Sequence, residues 1–343
     1  MIDIAKKDIF CQYLCDRRWV PVGEEPHITE LKGGVSCEVL LVETSQNTFV
    51  VKQALPQLRV KEEWFSDMTR INIEQACLRY WEKVTPGQVP HFLFYDDENY
   101  LYGMEAAPID APMWKSLLMK GSIDFAIASQ VVSALAKVHD AAATDQDVWR
   151  TFESQKVFIE LRIDPYLRTV AARHRALKPL INREVDRLLN NRLTLVHGDY
   201  SPKNMLVAGE RLFILDFEVA HIGDPSFDLG FLANHFLLKA VKNKDWALGY
   251  LALLVGSMHD YFKAIHFTDR YRLEADSVRT LALLFLARVD GKSPAEYITE
   301  EEDKALIRTL AYQILDDGLN SFEQVAMLAW HTLRAAHPSK TNI

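Results

Sequence analysis

Hydrophobic residues in the first third of the chain occur in short runs separated by turn formers, a pattern typical of antiparallel β-sheet. A glycine turn containing Gly33, Gly34 and Ser36 joins the first two runs, and Ser45 and Asn47 separate the next two. Five strands are predicted, over residues 28–31, 39–42, 49–51, 92–95 and 100–104. The first three follow one another directly, so we expect them to pair in antiparallel fashion.

Apolar positions change to helical spacing at residues 70–84, where Ile73 and Val84 lie on one stripe. Beyond Ala107 the chain has this spacing almost throughout. Helices are predicted over residues 1–25, 70–84, 122–143, 152–161, 178–190, 226–240, 245–265, 275–288, 300–315 and 320–336. The exception is the stretch 194–217, in which two short apolar runs flank a polar turn and are expected to be strands.

The change of pattern near residue 106 divides the chain into two lobes. An N-terminal lobe, residues 1–106, combines a helix, the five-stranded sheet and a second helix, and a C-terminal lobe, residues 107–343, is mostly helical. The length of 343 residues also favours more than one hydrophobic core. The content of 49% apolar and 25% charged residues is that of a globular protein. We therefore expect an α+β fold with two lobes.

The net charge of −8 argues against a nucleic-acid-binding protein with a broad basic face. The most apolar stretch of the C-terminal half, residues 246–258, is too short to cross a membrane, which needs about 20 residues. Residues 1–20 contain no apolar signal core, so we expect a cytoplasmic protein. The four cysteines lack zinc-site spacing and are interpreted as reduced structural thiols. The sequence leaves open whether the protein is a monomer or a homodimer.

Oxygen-bearing side chains converge in the stretch 195–230. If its two short strands pair across the turn at Gly209, Asn204 and Asp216 lie at the same end of the hairpin, because neighbouring strands are about 5 Å apart. Asp199 precedes the first of these strands at that same end. Mg²⁺ accepts carboxylate and amide oxygens, with phosphate oxygens and water completing its coordination. The pattern therefore predicts a Mg²⁺ site at Asn204 and Asp216.

These residues form the pattern HGDxxxxN followed by D-F-x, which resembles the catalytic and metal loops of the kinase-like superfamily. Gly198, in place of the arginine of protein kinases, and the downstream GDPSFDLG are similar to the aminoglycoside phosphotransferase and choline kinase branch. The resemblance implies a bilobal protein-kinase-like fold and ATP- and Mg²⁺-dependent transfer of a γ-phosphate to a hydroxyl group. It also implies that Asp199 acts as general base or orients the acceptor hydroxyl.

The N-terminal lobe carries a lysine that agrees with this resemblance. If Glu43 pairs with Thr48, the register of the second and third strands follows. Lys52 then lies opposite Val39, close to the glycine turn, where its ammonium group would reach the α- and β-phosphates of ATP.

Further binding residues follow from the same resemblance. Glu74, on the helix after the lysine strand, would pair with Lys52 and hold it straight. Other glutamates nearby are alternatives for this partner, namely Glu62, Glu63 and Glu82. The segment that ends the sheet corresponds to the hinge, whose backbone groups near Glu105 and Ala107 would bond adenine. The glycine turn would cover the phosphates through Gly33, Gly34 and Ser36.

Polar residues around the catalytic loop have less specific interpretations. Lys203 either touches the γ-phosphate or is a solvated surface lysine. Asp224 and Asp228 are expected to brace the loop, with Asp228 as the cap of the next helix. His197 is expected to hydrogen-bond the loop backbone, and His221 to be an ordinary loop histidine.

The acceptor is expected to be a small molecule. Only eleven residues separate Asp216 from Asp228, which leaves no room for the peptide-binding segment of protein kinases. Residues 50–70 resemble the first lobe of methylthioribose kinases, in which Trp64 would be a loop tryptophan, although the catalytic loop reads HGDYSPKN where that family has HGDLHTGS. A sugar or related polyol acceptor is therefore predicted, contacted by Trp64 and by Arg288 at the end of an apolar helix.

Alternatives remain open at this point. A kinase for an amino alcohol, of aminoglycoside or choline type, would carry the same motifs, and so would a nucleotide-binding pseudokinase, although the complete set of candidate catalytic residues favours activity. A metal-dependent hydrolase would use a different set, namely His197, Asp199, Asp216 and His221. Arg288 has a second interpretation, as a basic residue favoured by the helix dipole.

Overall fold

The computed structural model describes residues 1–21, 23–31, 36–57, 59 and 67–336. The chain forms two units, Met1–Ala111 with Ala208–Val219, and Pro112–Val207 with Ala220–Ile343. This division differs from the sequence-based boundary at residue 106, mainly because Ala208–Val219 belongs to the first unit. A backbone hydrogen bond of 2.9 Å from Ile214 N–H to Gln88 O holds this segment there.

The first unit contains a five-stranded antiparallel sheet. Its strands are β1 (His27–Glu30), β2 (Cys37–Glu43), β3 (Thr48–Ala54), β4 (Phe92–Asp96) and β5 (Leu101–Glu105), in the order β1-β2-β3-β5-β4. The register of β2 and β3 is the predicted one, with Glu43 opposite Thr48 and Val39 opposite Lys52. A slip of one residue would turn Lys52 to the other face of the sheet, so this register decides where its ammonium group lies.

Two helices accompany this sheet, α1 (Lys7–Asp16) and α2 (Arg70–Val84). Helix α1 buries Phe10 and Leu14 in a hydrophobic core shared with the sheet. It ends at Asp16 rather than continuing to residue 25 as predicted, because Arg18 has a φ of 59°, which a right-handed helix does not contain. Helix α2 has the bounds predicted from its apolar stripe.

The second unit is mostly helical. Its α-helices are α3 (Trp114–Met119), α4 (Phe125–Ala142), α5 (Gln146–Thr151), α6 (Lys156–Phe158), α7 (Thr169–Arg173), α8 (Lys178–Asn190), α9 (Ser226–Lys242), α10 (Ala247–Ala264), α11 (Arg270–Asp290), α12 (Glu301–Asp316) and α13 (Phe322–Ala336). A π-helix, Ile159–Arg168, joins α6 to α7. The prediction of one regular helix over residues 152–161 is wrong, since the wider π-helical turns begin at Ile159 and include Pro165, which has no N–H to donate.

Four short strands lie around the candidate catalytic residues: β6 (Thr194–Val196), β7 (Met205–Ala208), β8 (Arg211–Ile214) and β9 (His221–Gly223). Strand β6 pairs antiparallel with β9, and Val196 lies opposite His221. His221 was expected in a loop, but it is buried in β9 and its ring stacks on Phe158 with 4.1 Å between centroids. The loop that follows Val196 therefore starts from a buried pair of strands, β6 and β9.

Helices α9 and α11 approach each other closely at Gly230. A Cβ atom at this position would lie 2.9 Å from the backbone nitrogen of Leu281 and 3.1 Å from the carbonyl oxygen of Ser277, so a larger residue would force the helices apart. The run from Leu281 to Ala287 is fully buried, as its apolar sequence predicts. This contact fixes the place of Arg288, the next residue of α11, relative to α9.

Two sequence expectations concern the whole chain. In the part of the chain that the structure describes, no helix combines the length and the apolar content needed to cross a bilayer. All four cysteines are free thiols, as predicted. Burial raises the pKa of the Cys37 thiol, which is consistent with a structural role.

Candidate active site

Lys52, in the first unit, lies between two carboxylates. Its ammonium group forms one ion pair with Glu74 on α2 and a second with Asp216 Oδ1 at 3.1 Å. Lys52 and Glu74 are buried, whereas the Asp216 side chain is 25% exposed. The ammonium group of Lys52 is therefore paired with a fully buried carboxylate, that of Glu74, and with a partly exposed one, that of Asp216.

The electrostatics of this group keep the lysine charged. Burial alone would lower the pKa of Lys52, but Glu74 and Asp216 hold it well above its ordinary value. Burial raises the pKa of Glu74, and Lys52 opposes that effect. Asp216 itself has a φ of 72°, in the left-handed region that non-glycine residues seldom adopt, and such conformations are frequent at functional sites.

A second buried ion pair holds the segment that follows Asp216. Arg70, at the start of α2, is fully buried and donates to Glu218 Oε2 at 3.0 Å. Arg70 also donates to the carbonyl oxygens of Ser36 and Leu55. Ser36, predicted as part of the phosphate-covering turn, thus joins this network through its backbone. One arginine thereby connects α2, the ends of two sheet strands and the Asp216 segment.

A cavity of about 480 Å³ lies at the end of β5 in the first unit. Its volume is typical of small-ligand pockets, which range from about 300 to 1,000 Å³. The lining residues include Leu41, Thr48, Glu105, Ala107, Arg211 and Phe213. Glu105 and Ala107 belong to the predicted hinge. The two residues predicted to bond adenine therefore both line this cavity.

Glu105 and Ala107 differ in what their backbones offer. The N–H of Glu105 donates to His91 O at 2.8 Å, and its carboxylate is bound by both terminal nitrogens of Arg211 at 2.7 Å. Burial acts to raise the pKa of Glu105, but Arg211 holds it below its ordinary value. The N–H of Ala107 donates to no residue in the described part of the chain. Ala107 is thus the better placed of the two for donation to a ligand.

In the second unit, Asp199 is buried and its Oδ2 meets three donors. Arg162 Nη2 lies at 3.0 Å, Lys203 Nζ at 2.9 Å and Asn204 Nδ2 at 2.9 Å. These three contacts fix the orientation of the carboxylate in the loop. Lys203 is accordingly an ion-pair partner of Asp199, with 47% of its side chain exposed.

Asp228 braces the backbone of this loop from the first turn of α9. Its two carboxylate oxygens accept hydrogen bonds from His197 N–H at 2.7 Å and Gly198 N–H at 2.8 Å. His197 Nδ1 in turn accepts from Asp199 N–H at 3.2 Å, so the histidine bonds the loop backbone as predicted. Gly198 has a φ of 77°, which explains why glycine stands at this position of the motif.

The predicted helix cap is wrong. Helix α9 begins at Ser226, so Asp228 already lies inside its first turn. Asp224 fills the capping role, because its Oδ1 accepts from Ser226 N–H at 2.9 Å. Its Oδ2 pairs with Arg187 and accepts from Asn191 at 2.7 Å.

Asp228→Asn is expected to lower the free energy of unfolding by about 1–3 kcal/mol, because the new amide would set a donor against one of two buried backbone N–H groups. Chemical denaturation measures this difference. Asp186→Asn on the exposed face of α8 is the matched control. Equal midpoints and slopes for the two variants would contradict the bracing role.

Arg162 is the residue of this site that sequence reasoning missed. It lies on the π-helix, and its Nε donates to Gly198 O at 2.8 Å while its Nη2 pairs with Asp199. The one local indication was Pro165 inside an apolar pattern, since departures from regular helix are frequent at functional sites. Its contacts to the loop are distant in sequence, and no spacing rule predicts them.

The predicted Mg²⁺ ligands, Asn204 and Asp216, lie in different units. Asn204 Nδ2 donates to both the carbonyl and the carboxylate of Asp199, which leaves the amide oxygen as the atom that this side chain offers to a cation. Among the described residues, no three His, Cys, Asp or Glu side chains gather as a metal site. The Asn204 amide oxygen and the Asp216 carboxylate are each a type of donor that Mg²⁺ accepts, and that the two share one ion stays a prediction.

The remaining predicted residues fall in two groups. Gly33, Gly34 and Trp64 lie outside the described residues. Arg288 is buried at the end of the apolar run of α11, and its Nη1 donates to Tyr166 Oη at 3.2 Å and to Ser293 O. Tyr166 lies on the same π-helix as Arg162, which places Arg288 in the same unit as Asp199 and connected to it through side chains.

Comparison of sequences gives one family and related enzymes. The model of the phosphotransferase enzyme family (APH) matches residues 27–254. A methylthioribose kinase of Pectobacterium atrosepticum is 26% identical over 216 residues, which cover 55% of this chain and 54% of that enzyme. The chain therefore spans about half the length of this curated relative.

Solved structures extend the comparison to the fold. An amicoumacin kinase in complex with AMP-PNP, Ca²⁺ and Ami has a TM-score of 0.54 at 14% identity, covering 92% of this chain and 96% of that one. A choline/ethanolamine kinase family protein of Mesorhizobium loti has a TM-score of 0.52 at 16% identity, covering 90% and 94%. These matches confirm the predicted α+β, kinase-like fold. Because the family model covers more than half of the chain and includes both candidate loops, this chain belongs to the phosphotransferase enzyme family.

Proposed function

We propose that the chain is an ATP- and Mg²⁺-dependent kinase that phosphorylates a hydroxyl group of a small molecule. The observation that carries this proposal is Lys52, which is held between Glu74 and Asp216 in the unit that also contains the cavity at the end of β5. A buried lysine fixed by two carboxylates keeps both its charge and its position, as a phosphate-binding lysine must. The cavity would take the adenine ring, with Ala107 N–H as a donor.

In this proposal Asp199 acts on the acceptor. The acceptor oxygen bonds to the γ-phosphorus, the bond from phosphorus to the bridging oxygen breaks, and ADP leaves. Three donors hold Oδ2 of Asp199 in place, so the role of this carboxylate would be to orient the hydroxyl and to accept its proton as the new bond forms. Lys203, paired with Asp199, would add positive charge where the phosphoryl group is transferred. Mg²⁺ bound by Asn204 and Asp216 would neutralise charge on the phosphates.

The alternatives from the sequence are less well supported. A pseudokinase would not need the arrangement around Asp199 in addition to a nucleotide site. A hydrolase would need its two histidines at a metal, but His221 stacks on Phe158 and His197 Nδ1 accepts from a backbone N–H. The similarity to methylthioribose kinases favours a sugar-like acceptor over other hydroxyl compounds.

The test is a two-stage measurement on the full chain. MgATP is expected to raise the melting temperature, because a ligand that binds only the folded state stabilises it. ATP consumption is then measured with pentoses, thiopentoses, sugar acids, sugar phosphates, amino alcohols and aminoglycosides. Stabilisation together with acceptor-dependent ADP release would support a kinase. Stabilisation with no turnover on any acceptor would favour the pseudokinase. If MgATP gave neither stabilisation nor turnover, the proposal would be overturned.

A further inference from the structure

Three basic side chains are buried together in the second unit. His235 and Lys239 lie four residues apart on α9, and Arg288 lies at the end of the apolar run of α11. Their exposed fractions are 6%, 0% and 8%. These three residues are called the basic cluster below. Lysine and arginine are rarely buried to this extent without an acidic partner, so the cluster calls for an explanation.

The basic cluster has no acidic partner of its own. Within the described residues, neither Lys239 nor Arg288 forms an ion pair, and the nearby Glu296 is paired with Lys115. Lys239 Nζ donates to His235 O at 3.2 Å and stands 5.7 Å from the ring centroid of Tyr297. Arg288 is bonded to neutral groups, the hydroxyl of Tyr166 and the carbonyl of Ser293. The guanidinium of Arg288 is therefore buried without an ion pair in the described part of the chain, beside two further basic groups that also lack one.

Polar atoms of the cluster and of the neighbouring Tyr297 also lack hydrogen bonds. They are His235 Nε2, Arg288 Nε and Tyr297 Oη. A buried polar group without a partner costs about 1–3 kcal/mol, so native structures contain few of them. Several such atoms around one cluster of basic side chains indicate a place built for a polar ligand rather than for the stability of the fold.

The charged groups around the cluster reinforce its positive character. Lys115 on α3 lies 5.6 Å from the Tyr297 ring and pairs with Glu296, which is 63% exposed. Burial lowers the pKa of Lys239 to about 7, with contributions from Lys115 and Arg288 that Glu296 only partly opposes. Burial, Lys239 and Arg288 lower the pKa of His235. An anion at this place would relieve the mutual repulsion.

The basic cluster is connected to Asp199 by a short series of contacts. Arg162, the partner of Asp199, lies 5.8 Å from the Tyr166 ring centroid and 5.9 Å from that of Phe231. Tyr166 accepts from Arg288, and the Phe231 ring lies 5.3 Å from that of His235. All of these residues belong to the second unit. Tyr166 thus lies between Arg288 on one side and Arg162 and Asp199 on the other, which brings the cluster into the surroundings of Asp199.

We propose that the basic cluster binds an oxyanion of the acceptor, so that the substrate is an anionic hydroxyl compound such as a sugar acid or a sugar phosphate. This inference rests on the proposed kinase function. Carboxylate and phosphate share the chemistry that arginine and lysine recognise through charge-assisted hydrogen bonds. A cationic amino alcohol or aminoglycoside would meet like charge here, which disfavours that alternative.

The first measurement is binding of inorganic phosphate and of acetate by calorimetry, without nucleotide or acceptor. The variants are Lys239→Met and Arg288→Gln, and the control is Lys263→Met on the exposed face of α10. Binding of at least one of these anions is expected in the wild type and the control, weakened at least tenfold in both cluster variants. Lys239→Met is also expected to melt at or above the wild-type temperature, because it removes a buried unpaired charge.

The second measurement uses the acceptor screen with matched neutral, acidic, phosphorylated and amino compounds of one carbon skeleton. Turnover of the acidic compound alone would identify a carboxylate as the oxyanion that the cluster binds, and turnover of the phosphorylated compound alone would identify a phosphate. Arg288→Gln is expected to raise the KM of that acceptor at least tenfold and to leave the KM of MgATP unchanged. Anion binding that is equal in all variants, or turnover confined to neutral or amino compounds, would overturn the inference. Anion binding that depends on the cluster without any ATP turnover would instead count against the proposed kinase function alone.

Discussion

Asp199→Asn is expected to lower kcat by about 10²–10⁴-fold and to leave MgATP binding nearly unchanged. The substitution removes the charge that is proposed to orient the acceptor hydroxyl and take its proton. It does not touch Lys52, Glu74 or the cavity at the end of β5, which all lie in the first unit. Turnover with the acceptor from the screen measures the first effect, and calorimetric titration with MgATP measures the second.

The control for this variant is Asp164→Asn on the π-helix, where Asp164 pairs with Arg168 at the surface. Exposed ion pairs contribute about 0–1 kcal/mol, so this control should keep its turnover and its melting temperature. The Asp199 variant is expected to melt lower, because Arg162 and Lys203 lose their anionic partner. A folded Asp199 variant that retained full kcat would show that another group orients the acceptor.

The position of Lys52 and its pairing with Glu74 could be predicted from the sequence because the geometry of this pair is local. One turn between Glu43 and Thr48 sets the register of β2 and β3, and alternation along β3 then sets the face on which Lys52 lies. Glu74 comes from the apolar spacing of α2, which places it on the buried side of the helix. Each step uses residues that are near in sequence, so short-range rules were sufficient.

The surroundings of Asp199 in the second unit could be predicted only in part, because the contacts there are long-range. Arg162 and Arg288 each meet Tyr166, yet Arg288 is 122 positions away from it. Lys239 looks from its sequence like a lysine of the last helical turn, which is usually exposed, and its burial follows only from the packing of α9 against α10 and α11. Composition and motif spacing indicate the reaction class, whereas these long-range contacts arise only from the packing of the helices.

Asp216→Asn is expected to lower phosphoryl transfer by about 10³-fold or more, since metal-assisted neutralisation of phosphate charge is worth several kcal/mol and each 1.4 kcal/mol is tenfold. The variant loses a carboxylate oxygen for Mg²⁺ and one ion pair with Lys52. Nucleotide affinity is expected to fall in the presence of Mg²⁺ and to change much less in its absence. Calorimetric titrations with ATP at saturating Mg²⁺ and with excess chelator measure the two affinities.

Two further variants decide how the result for Asp216 is read. Lys52→Met removes the phosphate-binding cation rather than the metal ligand, so it is expected to weaken ATP binding by a similar factor with and without Mg²⁺. Asp97→Asn, in the exposed turn between β4 and β5, controls for the loss of one negative charge from the first unit and should change neither affinity. If Asp216→Asn and Lys52→Met showed the same pattern, Asp216 would act only by holding the lysine. If the Asp216 variant kept its MgATP affinity and its turnover, the result would contradict both the Mg²⁺ site at Asp216 and a phosphate-binding role for the Lys52–Asp216 pair.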